Sequence, residues 1–177
     1  MYSRMLGGNL VRIDVENARG ENLTNGDLVG TKDGSAYGLV FDPQDENVFY
    51  FSNNDKHCIY KYDLRTKECA CWAGQEGKSG YLDGPIGQAM FNKPGQMCVD
   101  SEGNIILTDT ENHCIRKITM STGYVSTLAG KPQNSGYVNG SAEDAQFKKP
   151  LGICIDNDDV MYIGDSENRA IRRLAVE

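Results

Sequence analysis

Two histidines, His57 and His113, and six cysteines stand among 25 acidic and 18 basic residues in this 177-residue chain. These are the groups from which acid–base, nucleophilic or metal chemistry would have to be built. Such chemistry needs unlike side chains that converge on one point. Here the candidates recur instead. His57 lies 56 residues before His113, as Cys58 does before Cys114 and Cys98 before Cys154. Asp109, Asn112 and Arg116 recur at the same spacing as Asp165, Asn168 and Arg172. A residue repeated at a fixed period is expected to build the fold rather than to supply half of a catalytic pair. No catalytic residue is therefore assigned. Asp109, Asn112 and Arg116, with Asp165, Asn168 and Arg172, are read as ion pairs or loop clamps.

The cysteines follow the same logic. Cys114 gives way to Ala170 in the last copy, and Cys69 aligns with Val125. Equivalent positions in successive units lie too far apart for the roughly 4.4–6.8 Å Cα separation of a disulfide. Cys69 and Cys71 are two apart on one strand, a poor local pair, and no second pair matches them as a zinc site would need. Six free thiols acting as small hydrophobes are expected. No metal site is read. A cation held in a channel by inner-strand carboxylates such as Asp100 and Asp156 is the alternative.

The 56-residue period is visible without a gap. Between Ala73–Ile118 and Ala129–Leu174, seventeen of 46 aligned positions are identical. A degenerate copy precedes them, and a still earlier one is read at Leu10–Val15 with Asp27–Gly30 after it. Within the middle unit, Met97–Asp100, Ile105–Asp109, Cys114–Ile118 and Tyr124–Ala129 are apolar or alternating runs separated by turns rich in Gly, Asn and Ser. Four short strands per unit of 40 to 55 residues describe a propeller blade. No helical periodicity appears, apart from one short turn at Ala142–Phe147. The expected fold is thus all-β, a β-propeller with about three four-stranded blades that belongs to a six-bladed ring. Its parts are a partial blade over 8–30, blades over 36–73, 94–130 and 150–177, and long connecting loops over 74–93 and 131–149. On this reading the chain starts and ends inside a blade.

The order Ala-Gly, Gly-Tyr-x-(Asp/Asn)-Gly, Ala-x-Phe, Pro, Asp, Asp-x-x-Asn, Ile-Arg resembles the NHL-repeat family of β-propellers. The middle copy carries Asn112-His113 and Ile115; the last departs with Asn168-Arg169 and the first with Lys56-His57. The long Gly-Tyr-x-Asp-Gly loop is similar to copies in large bacterial surface proteins. The family includes ligand-binding scaffolds, sensors and a few enzymes. Its amidating-lyase-type members need several histidines converging on the channel, and two repeat-equivalent histidines do not supply that set.

The loops 74–93 and 131–149 hold the remaining candidates. Loops of this length are often functional. Tyr81, Asp83, Tyr137 and Asn139 lie at the loop tips between glycines, where an aromatic ring beside a carboxylate or amide suits contact with a sugar, peptide or protein partner. The alternative is that the loops cap the core and lock neighbouring blades, with Ala89, Phe91, Ala145 and Phe147 as packing. The expected function is a non-catalytic binding or scaffold module that recognises a protein or carbohydrate ligand. A channel-centred metal-dependent lyase or lactonase-like hydrolase is the alternative.

The net charge of −7 argues against nucleic acid, whose phosphates call for a basic field. No apolar run approaches the roughly 18 residues of a membrane span. Uncovered blade faces and edges predict self-association, or pairing with the remainder of a propeller. The compartment is not fixed by sequence. No secretory signal is read in this segment, free thiols suit a cytosolic or anaerobic setting, and the resemblance implies an extracytoplasmic or cell-surface parent.

Overall fold

The computed structural model describes residues 2–5, 9–14, 16–17, 19–22 and 36–175. These form four antiparallel sheets. The first has three strands, β1 (Tyr2–Met5), β2 (Asn9–Asp14) and β3 (Arg19–Asn22). It thus begins ahead of residue 8, where the sequence pattern starts the partial blade. Asp27–Gly30, read as the end of that unit, lies outside the described residues.

The second sheet is a four-stranded meander of β4 (Ala36–Phe41), β5 (Val48–Asn53), β6 (Cys58–Asp63) and β7 (Cys69–Ala73). In the third, β9 (Pro94–Val99), β10 (Ile105–Asp109), β11 (Cys114–Thr119) and β12 (Tyr124–Ala129) follow the same order. A two-residue strand, β8 (Gly84–Pro85), adds to the outer edge of β12 and makes the sheet five-stranded. The fourth sheet contains β13 (Pro150–Ile155), β14 (Met161–Asp165) and β15 (Ala170–Leu174). We call the last three sheets blades 1, 2 and 3. The innermost strand of blade 2, β9, lies between β4 and β13, so the inner strands stand side by side as they do around a propeller axis.

Three local features add detail to the sequence pattern. β9 starts at Pro94 rather than Met97, because proline is tolerated as the first residue of a strand. The turns after β10 and β14 are single 3-10 turns, Thr110–Asn112 and Ser166–Asn168, each closed by a left-handed residue, His113 or Arg169. The segment Ala142–Phe147 makes turns and a bridge to Val138, with no helix.

The second strand of each full blade is buried throughout, which is why Val48–Asn53 and Ile105–Asp109 read as near-continuous apolar runs. Alternation divides their side chains between two seams. Ile105 and Leu107 point to blade 1 and pack with Val40, Val48, Tyr50 and Ile59. Ile106 points the other way and packs with Ile153, Met161 and Ile163 of blade 3. Phe91 and Phe147, from the two long loops, plug the same positions in successive seams. The other face of blade 1 is aromatic, with Phe49, Phe51, Tyr60 and Tyr62 stacked together.

Polar bonds fasten the seams at repeat-equivalent places. The register between β4 and β5 shifts opposite Ser52, and that between β9 and β10 shifts opposite Thr108, while both residues stay paired with the next strand, β6 or β11. Ser52 Oγ donates to the Gly95 carbonyl of blade 2 at 2.6 Å and accepts from the Gly38 N–H at 2.8 Å. Thr108 Oγ1 donates to the Leu151 carbonyl of blade 3 at 2.9 Å. Glycine is required where the inner strands meet: a Cβ on Gly38 would lie 2.8 Å from the Gly95 carbonyl oxygen and from the Met97 nitrogen.

Candidate functional site

The repeated polar residues meet in one cluster per blade. In blade 2, Arg116 enters the core from β11 and is fully buried. Its Nη1 donates to Asp109 Oδ2 at 2.6 Å and to the Met90 carbonyl at 3.1 Å. Its Nη2 donates to Asp83 Oδ1 at 2.6 Å and to the Leu82 carbonyl at 2.9 Å. The guanidinium lies between the rings of Tyr81 and Phe91, at 4.8 and 5.1 Å from their centroids. Asn112 Nδ2 donates to Asp109 Oδ2 and to the Gly80 carbonyl, both at 2.8 Å. Asp109 Oδ1 accepts from the Asn92 N–H. One buried arginine therefore gathers the whole 80–92 hairpin onto its blade.

Blade 3 repeats the arrangement. Arg172 donates to Asp165 Oδ2 at 2.9 Å, Gln146 O at 3.0 Å, Val138 O at 2.6 Å and Asn139 Oδ1 at 2.7 Å. It lies over Tyr137 and Phe147. Asn168 ties Asp165 to Gly136. Burial pushes the Asp109 carboxyl up, to about 6, against the pull of the Arg116 guanidinium and the surrounding donors. Burial also disfavours the charge on Arg116, but Asp109 and the neighbouring acids outweigh it and raise its pKa.

This geometry places the loop-tip residues. Asp83 is taken by Arg116 and by the Thr127 N–H. The Tyr81 hydroxyl meets Thr127 Oγ1 at 2.7 Å. Asn139 is held by Arg172. Tyr137, at 59%, and Asn139 are exposed, whereas Tyr81 and Asp83 are half-buried. Tyr81, Asp83 and Asn139 thus bond strand residues of their own blade. Sequence spacing showed that Arg116 and Asp83 recur as a kind, but not that a residue 33 positions away would reach the same guanidinium.

The histidines are seam clamps. His57 Nδ1 accepts the Lys93 N–H at 3.1 Å, and His113 Nδ1 accepts the Lys149 N–H at 3.2 Å. Each ties the end of one blade to the entry of the next. Burial, with the Lys93 charge, holds the His57 imidazolium pKa below its ordinary value. The Lys149 ammonium bridges Glu111 and Glu167 across the seam.

At the opposite end of the blades, Asp100 and Asp156 organise turns. Asp100 accepts from the Glu102 and Asn104 N–H groups and pairs with Lys117 at 3.0 Å. Burial pushes its carboxyl up, but these partners prevail and hold it below the usual carboxylate range. Asp156 accepts from the Asp158 and Val160 N–H groups. Ser101 bonds Asp159 of blade 3 through its N–H and its hydroxyl. Among the described residues no group of three or more His, Cys, Asp or Glu side chains is placed to hold a metal ion. All six cysteines are free.

The same end carries a groove of about 470 Å³ between blades 1 and 2. It is lined by Asp42, Pro43, Gln44, Glu102, Asn104, Thr119, Met120 and Ser121. The volume is that of a small-molecule site. The donors and acceptors are hydroxyl, amide and carboxylate groups. None of these residues was singled out from sequence, because turn residues at the ends of strands show no spacing that separates a groove wall from an ordinary turn.

Strand order, inner-strand packing and seam clamps define a β-propeller. Residues 91–118, the heart of blade 2, match the NHL repeat model. NHL repeat-containing protein 2 of Gallus gallus is 30% identical over 152 residues, covering 85% of this chain and 19% of that protein. A protein of unknown function from Bacteroides thetaiotaomicron is similar in structure, with a TM-score of 0.89 at 29% identity over 99% of this chain and 44% of the other. An auxiliary nutrient binding protein from the same organism has a TM-score of 0.76 at 29% identity, over 98% and 44%. The chain carries NHL repeats, and its fold is that of an NHL β-propeller. It spans less than half the length of each of these relatives. Among the described residues no helix is long and apolar enough to cross a membrane.

Proposed function

We infer that this chain is a non-catalytic binding module and that the groove between blades 1 and 2 takes a polyhydroxylated ligand, an oligosaccharide. The groove carries the reading. Carboxylate, amide and hydroxyl groups from two blades converge there. Oligosaccharide hydroxyls both donate and accept, which suits a lining of that kind. The likeness to a nutrient binding protein supports a binding role. The repeat-equivalent acids and histidines are engaged in clamps and turns, and in the groove the exposed Gln44 and Ser121 side chains are the ones open to a ligand.

Calorimetry with a panel of oligosaccharides tests this. At least one member should bind saturably. The double substitution Gln44→Ala, Ser121→Ala, at exposed groove positions, should weaken it at least ten-fold without moving thermal unfolding. Absence of saturable heat across the panel would remove the reading. Steady hydrolysis of a lactone by the chain, lost in Glu102→Gln, would establish the hydrolase alternative in its place.

The outward face of blade 3 is the second part of the proposal. Tyr162 and Ile171 stand where blade 2 has Ile106 and Ile115, which blade 3 covers. Ile171 is 75% exposed. This face is read as the seat of a further blade, from the remainder of a propeller or from a second copy.

A further inference from the structure

Blade 1 departs from the clamp found in the other two. At the positions of Asp109, Asn112 and Arg116 it carries Asn53, Lys56 and Tyr60. Tyr60 is buried, and its hydroxyl has no hydrogen-bond partner. The guanidinium that ties a blade to its outer loop is therefore missing from blade 1. At the position of Thr127, whose hydroxyl serves that clamp in blade 2, blade 1 carries Cys71.

Cys71 is not isolated. It lies on β7 opposite Tyr60 of β6, and Cys58 lies two residues before Tyr60, on the same face of that strand. A bulge between Ile59 and Tyr60 shifts the register at this point. Both cysteines border Gly74: Cys71 Sγ is 3.7 Å from the Gly74 carbonyl, and a Cβ on Gly74 would lie 3.2 Å from Cys58 Cβ. Cys58 and Cys71 also belong to one side-chain cluster, with Tyr60 between them, on the aromatic face of blade 1. Blade 2 has Cys114 with Thr127, and blade 3 has Ala170, so the thiol pair belongs to blade 1 alone.

We propose that Cys58 and Cys71 are a redox pair that closes to a disulfide, stapling β6 to β7 in the blade without the arginine clamp. The two sulfurs have distinct roles. Cys71 is half-buried and open to a reagent from solvent, so its thiolate is the one that attacks. Cys58 is fully buried, out of reach of an external disulfide, which makes it the resolving group. The oxidant is a low-molecular-weight disulfide, RS–SR. The Cys71 thiolate attacks one sulfur, the RS–SR bond breaks, and RS⁻ leaves and takes up a proton. Cys58 then loses its proton to water and attacks Cys71 Sγ, and the second RS⁻ leaves. Two protein thiols are oxidised by two electrons, and RS–SR is reduced to two RSH.

The experiment uses the whole chain in buffers of reduced and oxidised glutathione, with acid quenching, alkylation, trypsin and mass spectrometry. The expected product links peptide His57–Lys61 to peptide Glu68–Lys78 with the loss of two hydrogens. It should persist in Cys69→Ser, vanish in Cys71→Ser, and revert when reduced glutathione is restored. In Cys58→Ser a single glutathione should remain on Cys71. Trp72, beside Cys71, supplies a fluorescence change that follows the cross-link. The proposal fails if the wild-type chain yields glutathione adducts without the linked peptides, or if the link survives in Cys71→Ser.

Discussion

The Thr108 hydroxyl donates to the Leu151 carbonyl, 2.9 Å away, across the seam between blades 2 and 3. Fifty-six residues earlier Ser52 makes the equivalent bond to Gly95. Both side chains stand where a bulge interrupts pairing with the inner strand of their own blade. Thr108→Val should cost about 1 kcal/mol of unfolding free energy, and Ser52→Ala about 1–3 kcal/mol, because the latter also strands the Gly38 N–H. Denaturant unfolding checks both. Equal, negligible losses would show that apolar packing alone holds the seams.

Arg116→Met should be far more damaging. It leaves Asp109 buried without its cation and releases the 80–92 hairpin, at a cost of about 3–5 kcal/mol. A cycle with Asp109→Asn should be non-additive by more than about 1 kcal/mol, since both residues serve one network. Additive losses in denaturant titrations would refute a shared cluster.

His57 predicts an acid-sensitive seam. Its folded-state pKa lies below its ordinary value of 6.5. The unfolded chain thus binds the proton more tightly, so this contribution is complete above about pH 6.5 and is lost as pH falls through the folded value. An imidazolium cannot accept the Lys93 N–H. Asp109, raised to about 6, acts with the opposite sign over part of that range. The difference between wild type and His57→Asn isolates the histidine: asparagine suits the left-handed backbone there (φ 55°) and does not titrate. The two stability curves should diverge only on the acid side. Parallel curves from pH 8 to pH 5 would exclude the clamp.

Association should depend on the outward face of blade 3. Sedimentation equilibrium should show mass rising with concentration, and Ile171→Lys should suppress it. A monomer at all concentrations for both proteins would mean that this face does not drive pairing.

The blade pattern was legible in sequence because strands buried on both sides must be apolar and because a period of 56 repeats each choice. Pro94–Ala129 could be divided into strands with small errors at the ends. The clamps were legible only in part. Asp109, Asn112 and Arg116 are close in sequence, so their grouping followed from spacing. Tyr81 and Asp83 looked like free loop tips, because nothing in the local sequence says that a distant arginine will draw them inward. The groove was invisible for a related reason: Gln44 and Ser121 become neighbours only when two blades are set side by side. The thiol pair was hidden by the repeat itself, since Cys58 aligns with Cys114 whereas Cys71 aligns with a threonine.

The hydroxyl-to-carbonyl seam bonds point one way. Each hydroxyl lies on the earlier blade and each carbonyl on the later one, so the chain has a direction of assembly that a two-fold, face-to-face pairing cannot satisfy. Any added blade or second copy must join head to tail, the kind of contact that closes into rings or runs on as a filament. Blade 3, however, carries Gly164 where Ser52 and Thr108 supply the hydroxyl. Whatever sits beyond it is held without that latch. In a closed ring this joint would have to rest on apolar packing where the two seams within the chain add a hydroxyl.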